Sequence, residues 1–201
     1  MSKGRLIVFS APSGCGKGTM LREILRDENF YISVSATTRE PREGEVDGVD
    51  YHFISREEFQ NLIDNNGMLE YAEYCDNLYG TPVKEVKEQL DKGRNVILEI
   101  EVKGAMKIRK LCPEALFIFV VPPSLKELDR RLRKRGTETE EVIIQRVKRA
   151  AEEIPYAVKY DYIIVNDGLE EAVEDFRSIV RAESFRAEFA RELINEVMKN
   201  A

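Results

Sequence analysis

Residues 11–19 of the chain, Ala-Pro-Ser-Gly-Cys-Gly-Lys-Gly-Thr, combine closely spaced glycines with a lysine. An apolar run, Leu6 to Phe9, precedes them and apolar residues at helical spacing follow, so the sequence predicts a buried strand, a loop and a helix. In such a loop Gly14 and Gly16 would let the backbone turn its N–H groups inward, beside the free N–H groups and positive dipole end of the helix. Lys17 adds a mobile positive charge. This combination predicts a site for the phosphates of a nucleotide. Its residues would be Ala11, Pro12, Ser13, Gly14, Cys15, Gly16, Lys17, Gly18 and Thr19.

The loop departs at two positions from the phosphate-loop pattern G-x-x-x-x-G-K-S/T. Ala11 replaces the first glycine, which matters little if its backbone keeps a negative φ. Gly18 replaces the residue whose hydroxyl usually contacts Mg²⁺. Thr19 lies roughly 100° further round the helix and is not a simple substitute. The alternative interpretation is an ordinary glycine-rich turn between a strand and a helix.

Two carboxylates end another apolar run, Asn95 to Glu101. Because side chains alternate along a strand, we expect Glu99 and Glu101 to point to the same face. They would lie at the carboxyl end of the strand, where ligands bind in open α/β sheets. Glu99 is therefore our candidate to hold a Mg²⁺-bound water beside the phosphate loop, the alternative being a solvated strand end.

Arginines form two groups that could contact phosphoryl groups. Residues 130–135 place five cations in six positions, and Arg131 and Arg135 share a helix face there. With Arg146, on the next predicted helix, they are our candidates to reach a reacting phosphoryl group from a lid. The alternative is a solvated helix whose basic end suits the helix dipole.

The second group of arginines lies in an earlier polar loop. Arg39 and Arg42 flank Pro41, and two guanidiniums on a stiffened loop suit a second phosphate because each can bind it bidentately. Tyr51 and Tyr79 could add hydroxyl donors.

Composition limits the class of protein. The chain has 201 residues, of which 43% are hydrophobic and 34% charged, as expected for a soluble globular domain with a sizeable core. A net charge of −6 argues against a broad nucleic-acid surface. Three widely spaced cysteines without a C-x-x-C pair fit a reducing cytoplasm, and no apolar run suits a signal peptide or a membrane span. The single histidine, His52, excludes histidine triads and multi-histidine metal sites.

Apolar strands alternate with helical patterns along most of the chain, which is typical of a parallel α/β sheet flanked by helices. Residues 35–95 interrupt this alternation with shorter, more polar strands, and we interpret them as an inserted lobe. Residues 125–155 form a basic pair of helices, a predicted lid. The core of this single domain would then comprise residues 1–34, 96–124 and 156–201.

Local signals predict several element boundaries. Tyr31 to Ala36 is predicted to be one strand, Asn77 to Thr81 a turn, and Leu169 to Asn200 mainly helix. The spacing of capping boxes is found at Ser55 with Glu58 and at Thr137 with Glu140. Ser124 or its neighbour is expected to cap a helix that Gly136 ends.

These clusters, in this order, resemble the guanylate kinases over essentially the whole chain. The most specific segment is Thr-Thr-Arg-x-Pro-Arg-x-Gly-Glu, within residues 35–45. Besides the glycine loop, the similarity is carried by residues 48–53, Glu70, and residues 79–82, 98–105, 130–138 and 165–167. The resemblance implies a P-loop NTPase-type sheet with a GMP-binding lobe and a lid. It also implies transfer of the γ-phosphoryl group of ATP to GMP with Mg²⁺, giving ADP and GDP.

The resemblance further implies roles for individual residues. Residues 11–19 would hold the ATP phosphates, and Asn166 would approach adenine. The GMP phosphate would contact Arg39, Arg42, Tyr51 and Tyr79, and guanine would be surrounded by Ser35, Glu70, Thr81 and Glu101. The catalytic cations would be Lys17, Arg39, Arg131, Arg135 and Arg146. Glu99 and Glu101 stand where aspartates are common in the family, which lengthens their reach and preserves the charge.

Other functions remain open at this point. A kinase acting on AMP or dTMP would share the phosphate loop and the arginines but differ at Glu70, Ser35 and Thr81. A non-catalytic guanylate-kinase-like interaction domain would usually lack an intact phosphate loop, and Lys17 argues against it. A regulatory GTPase would need an N/T-K-x-D motif, which the sequence lacks. The expected partners are ATP and GMP, with dGMP left open, for a cytoplasmic monomer or homo-oligomer.

Overall fold

A computed structural model describes residues 4–136, 138–187 and 191–199. The strands of these residues are β1 Leu6–Ser10, β2 Phe30–Ile32, β3 Ala36–Thr37, β4 His52–Phe53, β5 Met68–Tyr74, β6 Asn77–Pro82, β7 Asn95–Glu99, β8 Leu116–Val121 and β9 Tyr162–Val165. Their α-helices are α1 Lys17–Ile24, α2 Arg56–Asp64, α3 Val83–Asp91, α4 Val102–Leu111, α5 Leu125–Arg135, α6 Glu140–Glu153, α7 Leu169–Ser184 and α8 Arg191–Lys199. Within these ranges no helix is long and apolar enough to cross a membrane.

The core is a parallel sheet with strand order β2-β7-β1-β8-β9, as the alternation of strands and helices predicts. In the central strand β1, Ile7 and Phe9 pack against α1 and α7, whereas Val8 packs on the opposite side with α3 and α4. Both faces of the sheet are therefore buried, which explains why its strands are continuous apolar runs. Because the strands are parallel, the loops that follow β1 and β7 meet at one edge of the sheet.

A second sheet, of order β4-β3-β6-β5, lies within the predicted lobe. The prediction of a turn over Asn77–Thr81 is wrong, because these residues belong to β6 and pair antiparallel with β5. The turn lies instead at Cys75 and Asp76, whose φ angles are 48° and 60°. Small and polar residues favour a turn locally, but cross-strand pairing with β5 outweighs that preference.

The predicted strand Tyr31 to Ala36 is divided between the two sheets. β2 pairs with β7 in the core sheet, and β3 pairs with β4 and β6 in the second sheet. The lobe therefore begins where the chain leaves the edge of the core. At the other end of the lobe, Val86 of α3 packs against Val96 and Leu98 of β7.

Most of the predicted helix ends are confirmed. Ser55 and Glu58 form the capping box of α2, the Ser124 hydroxyl accepts a hydrogen bond from the Glu127 N–H, and Gly136 ends α5 with a φ of 64°. The second predicted box involves Thr137, which lies outside the described residues, and α6 begins at Glu140 after Thr139. The predicted C-terminal helix is also interrupted, because α7 ends at Ser184.

Candidate active site

The glycine loop joins β1 to α1 as predicted. Gly14 and Gly16 have φ angles of 91° and 83°, which favour glycine. A Cβ atom added to Gly14 would lie 2.7 Å from Leu132 Cδ2, and one added to Gly16 would lie 2.5 Å from Asn166 Nδ2. Among the described residues other than glycine, positive φ occurs at Asn66, Cys75 and Asp76, so Ala11 keeps the negative φ expected of it.

Buried contacts hold this loop in place. Cys15 is fully buried and packs with Leu128 and Leu132 of α5 and with apolar residues of α6. Burial raises the pKa of the Cys15 thiol to about 12, so this side chain is an uncharged packing group. Asn166 is buried and its Nδ2 donates a hydrogen bond to the Cys15 carbonyl, 2.7 Å away. The structure thus gives Asn166 a role in supporting the loop, and its contact with adenine stays a prediction.

Lys17 lies at the first position of α1, and its Nζ is 3.3 Å from Glu99 Oε1. The second carboxylate of the predicted pair has a different position. β7 ends at Glu99, whereas Glu101 is the N-terminal flanking residue of α4 and its Oε1 accepts a hydrogen bond from Arg149. The expectation that both point to one face of a strand is therefore wrong, because the strand stops before Glu101.

The chemistry of the nearby ligands fits a magnesium ion bound mainly through nucleotide phosphates. Mg²⁺ usually keeps several waters and takes one or two protein carboxylates besides the phosphates, and Glu99 supplies one carboxylate beside the loop. Gly18 has no hydroxyl, and Thr19 Oγ1 accepts a hydrogen bond from Arg22 at 3.4 Å. Among the described residues, no cluster of three His, Cys, Asp or Glu side chains could hold a metal by itself.

A second group of residues surrounds Arg39 in the second sheet and its loop. The Arg39 guanidinium lies 5.6 Å from the ring centre of Tyr51, and the Tyr51 and Tyr79 rings are 6.0 Å apart. The two terminal nitrogens of Arg39 donate hydrogen bonds to the Glu45 carboxylate at 3.0 and 2.9 Å. These bonds hold the pKa of Glu45 below its usual range. The Arg39 Nε is buried without a hydrogen-bond partner among the described residues, a donor that an oxygen of a phosphate would satisfy.

Arg42 lies on the same loop, and its backbone N–H donates to Glu45 at 2.7 Å. The structure thus brings Arg39, Tyr51 and Tyr79 together, with Arg42 exposed beside them. Sequence reasoning missed the carboxylate of Glu45 as a site residue. The position of Glu45 within the specific motif of residues 35–45 was the available signal.

The predicted base site contains a partly buried carboxylate. Glu70 of β5 accepts a hydrogen bond from the Thr81 hydroxyl on β6 at 3.0 Å, and burial raises the pKa of Glu70. A Cβ atom added to Gly104 would lie 3.5 Å from Glu70 Oε2, so the first turn of α4 borders this carboxylate. Ser35 lies between β2 and β3, where its carbonyl accepts a hydrogen bond from the His52 N–H.

The predicted lid arginines have different surroundings. Arg131 Nη1 donates to the backbone carbonyl of Asn166 at 2.8 Å, and Arg146 Nη1 donates to Ser13 Oγ of the glycine loop at 2.8 Å. Arg135 lies one turn after Arg131 and is exposed. Sequence reasoning missed Glu127, which accepts a hydrogen bond from Arg131, although its spacing of four residues was a usable signal.

The parallel core sheet, with its glycine loop between β1 and α1, has the fold of a P-loop kinase. Comparisons with known proteins narrow this class. The family model described as guanylate kinase matches residues 3–183. The chain is similar to the guanylate kinase of Streptococcus thermophilus, with 57% identity over 188 residues, covering 92% of this chain and 90% of that protein.

Two further proteins to which the chain is similar are also guanylate kinases. The guanylate kinase of Clostridium tetani is 52% identical over 194 residues, covering 96% of this chain and 93% of that protein. The crystal structure of guanylate kinase from Anaplasma phagocytophilum is similar with a TM-score of 0.72 at 39% identity, covering 92% of this chain and 89% of that one. The chain therefore belongs to the guanylate kinase family.

Proposed function

We infer that the chain is an enzyme that transfers the γ-phosphoryl group of ATP to GMP, giving ADP and GDP. Membership of the guanylate kinase family supports this reaction. In our proposal residues 11–19 bind the ATP phosphates and Asn166 lies near adenine. Arg39, Arg42, Tyr51 and Tyr79 bind the phosphate of GMP.

The observation that carries the choice of acceptor is the partly buried carboxylate of Glu70, which accepts a hydrogen bond from the buried Thr81 hydroxyl. A carboxylate there accepts hydrogen bonds from guanine N1–H and from the 2-amino group together. Adenine offers neither donor at these positions, and leaving a buried acceptor unsatisfied costs about 1–3 kcal/mol. Thr81 orients the carboxylate, and in our proposal Ser35 and Glu101 border the remaining edge of the base. A site built on hydrogen bonds in this way rejects the wrong base strongly.

The reaction needs positioning and positive charge more than proton transfer. The acceptor phosphate is an anion near neutral pH, so no general base is required, in agreement with a chain that has one histidine. Lys17, Arg131, Arg135 and Arg146 neutralise and align the donor phosphates, while Arg39 holds the acceptor in line. Magnesium bound with ATP would screen further phosphate charge, with Glu99 holding it through a water.

The lobe of residues 35–95 and the lid of residues 125–155 then act as units that enclose the substrates. Their closure over the core would exclude water and so limit hydrolysis of ATP. We place the enzyme in the cytoplasm, because the described cysteines, Cys15, Cys75 and Cys112, are free thiols that suit a reducing compartment.

A coupled assay of ADP release with MgATP tests this function. The acceptors GMP, dGMP, AMP, dTMP and UMP are offered one at a time. We expect strong turnover with GMP and little with AMP or the pyrimidine nucleotides. Turnover with another acceptor in place of GMP would contradict the base-site assignment. Nucleotide binding without turnover would favour a non-catalytic interaction domain.

A further inference from the structure

Arg149 connects the lid helix α6 to the start of α4. It lies three residues after Arg146, so the two side chains project from neighbouring positions on one face of the helix. Arg146 donates to Ser13 of the glycine loop, and Arg149 Nη2 donates to Glu101 Oε1 at 3.0 Å. One helix therefore contacts the loop of the ATP site with one arginine and a residue of the base site with the next.

A second carboxylate orients this guanidinium. Arg149 Nε donates to Glu153 Oε1, one turn further along α6, at 2.8 Å. Two nitrogens of the group, Nε and Nη2, thus donate to different carboxylates, which restricts the orientation of the guanidinium. The Glu101 side chain makes no capping hydrogen bond to α4, and Arg149 is the partner that the described residues give it.

The first turn of α4 is also part of the wall of the base site. Gly104 lies in this turn, and a Cβ atom added to it would be 3.5 Å from Glu70 Oε2. Lys107, one turn later, donates to the carbonyl of Tyr71, the residue after Glu70. A residue that holds the Glu101 carboxylate therefore acts at the border of the pocket in which Glu70 meets guanine.

We propose that Arg149 is a positioning residue for the acceptor base, which holds Glu101 in place for guanine when α6 lies on the core. GMP recognition is thereby linked to the contact that Arg146 makes with the ATP loop. This inference rests on the proposed function. The side chains of Arg149 and Glu101 are 51% and 74% exposed, so solvent screens the pair and its effect is about two- to fivefold.

Arg149→Gln tests the proposal, with Lys148→Gln as the matched control that removes the same charge from an exposed neighbour on α6. We expect Arg149→Gln to raise the KM for GMP about two- to fivefold while the KM for ATP and the melting temperature stay near those of the parent enzyme. The control should leave both KM values unchanged. Equal increases in both KM values, or an unchanged KM for GMP, would overturn the proposal.

A double-mutant cycle tests whether Arg149 acts through Glu101. In a Glu101→Gln background, Arg149→Gln should add little further increase in the KM for GMP, and fully additive effects would contradict the inference. Arg149→Lys keeps the charge but not both hydrogen bonds, so an intermediate KM is expected, and this variant also serves if Arg149→Gln does not fold. A parent enzyme that does not use GMP would overturn the proposed function and this inference together. Normal parent turnover with no response at Arg149 would overturn the inference alone.

Discussion

The phosphate loop and the proposed base site are built in different ways. The loop consists of consecutive residues whose shape is set by the positive φ of Gly14 and Gly16 and by the buried Cys15 beneath them. The base site consists of side chains from separate elements, with Glu70 on β5 and Thr81 on β6. The first is mainly backbone geometry, and the second is mainly the placement of functional groups.

This difference separates catalysis from specificity. Backbone N–H groups and a lysine contact phosphates, which all nucleotides share, so damage to the loop should lower turnover with every acceptor. Hydrogen bonds to the edge of a base distinguish one nucleotide from another, so damage around Glu70 should change which acceptor is preferred.

The largest expected effect is at Lys17. Lys17→Met removes the charge that we propose faces the outer phosphates, and we expect turnover with all acceptors to fall by at least about a hundredfold. The melting temperature should change little, since the partner carboxylate of Glu99 is 40% exposed and water can solvate it when the ion pair is lost. The control is Lys126→Met, at an exposed position of α5. Near-normal turnover in Lys17→Met would refute the assignment of the loop.

The next-largest expected effect is on the choice of acceptor nucleotide. Glu70→Gln keeps the size of the side chain but replaces half of its acceptor capacity with a donor. We expect the preference for GMP over AMP, measured as the ratio of kcat/KM values, to fall about ten- to hundredfold. Glu73→Gln, on the same strand but exposed, is the control. An unchanged preference ratio in Glu70→Gln would remove this residue from the base site.

A pair of glycine substitutions in the loop isolates its backbone requirement. Gly16→Ala places a Cβ in a left-handed conformation and against the amide of Asn166, so we expect a loss of at least about 1–2 kcal/mol in the free energy of unfolding. Gly18→Ala has open space around the new methyl group in α1, and should be neutral or stabilising by up to about 1 kcal/mol. Denaturant unfolding measures both. A similar change in the free energy of unfolding of the two variants would contradict this difference between Gly16 and Gly18.

The two regions also differ in how far the sequence alone predicts them. The strand, glycine loop and helix, and the capping box of Ser55, were predictable because each depends on residues close together in the chain. The contact of Asn166 with Cys15 was not, because it joins residues far apart in sequence and is decided by packing. The same holds for the pairing of β6 with β5.

The ion-pair partners of Glu99 and Glu101 were likewise not predictable from residues close together in the chain. The sequence placed Glu99 and Glu101 on one strand face, whereas the first pairs with Lys17 and the second with Arg149. Each residue is at the predicted edge of the core sheet, but the end of β7 between them sends the side chains to different partners. Local sequence patterns do not determine the end of a strand to within one or two residues.

The smallest expected effect is a pH-dependent change in stability at the base site. Burial raises the pKa of Glu70, so between the usual range of a glutamate and that raised value the folded protein binds a proton that the unfolded chain has lost. Stability from this group therefore falls as pH rises through that window, and above it the folded state bears the cost of an ionised, partly buried carboxylate. Glu70→Gln lacks this cost, so its melting temperature relative to the parent should increase from acid to neutral pH. A difference for Glu70→Gln that shrinks with rising pH would mean that the carboxylate is stabilised in its charged form, and the desolvated base site inferred here would be wrong.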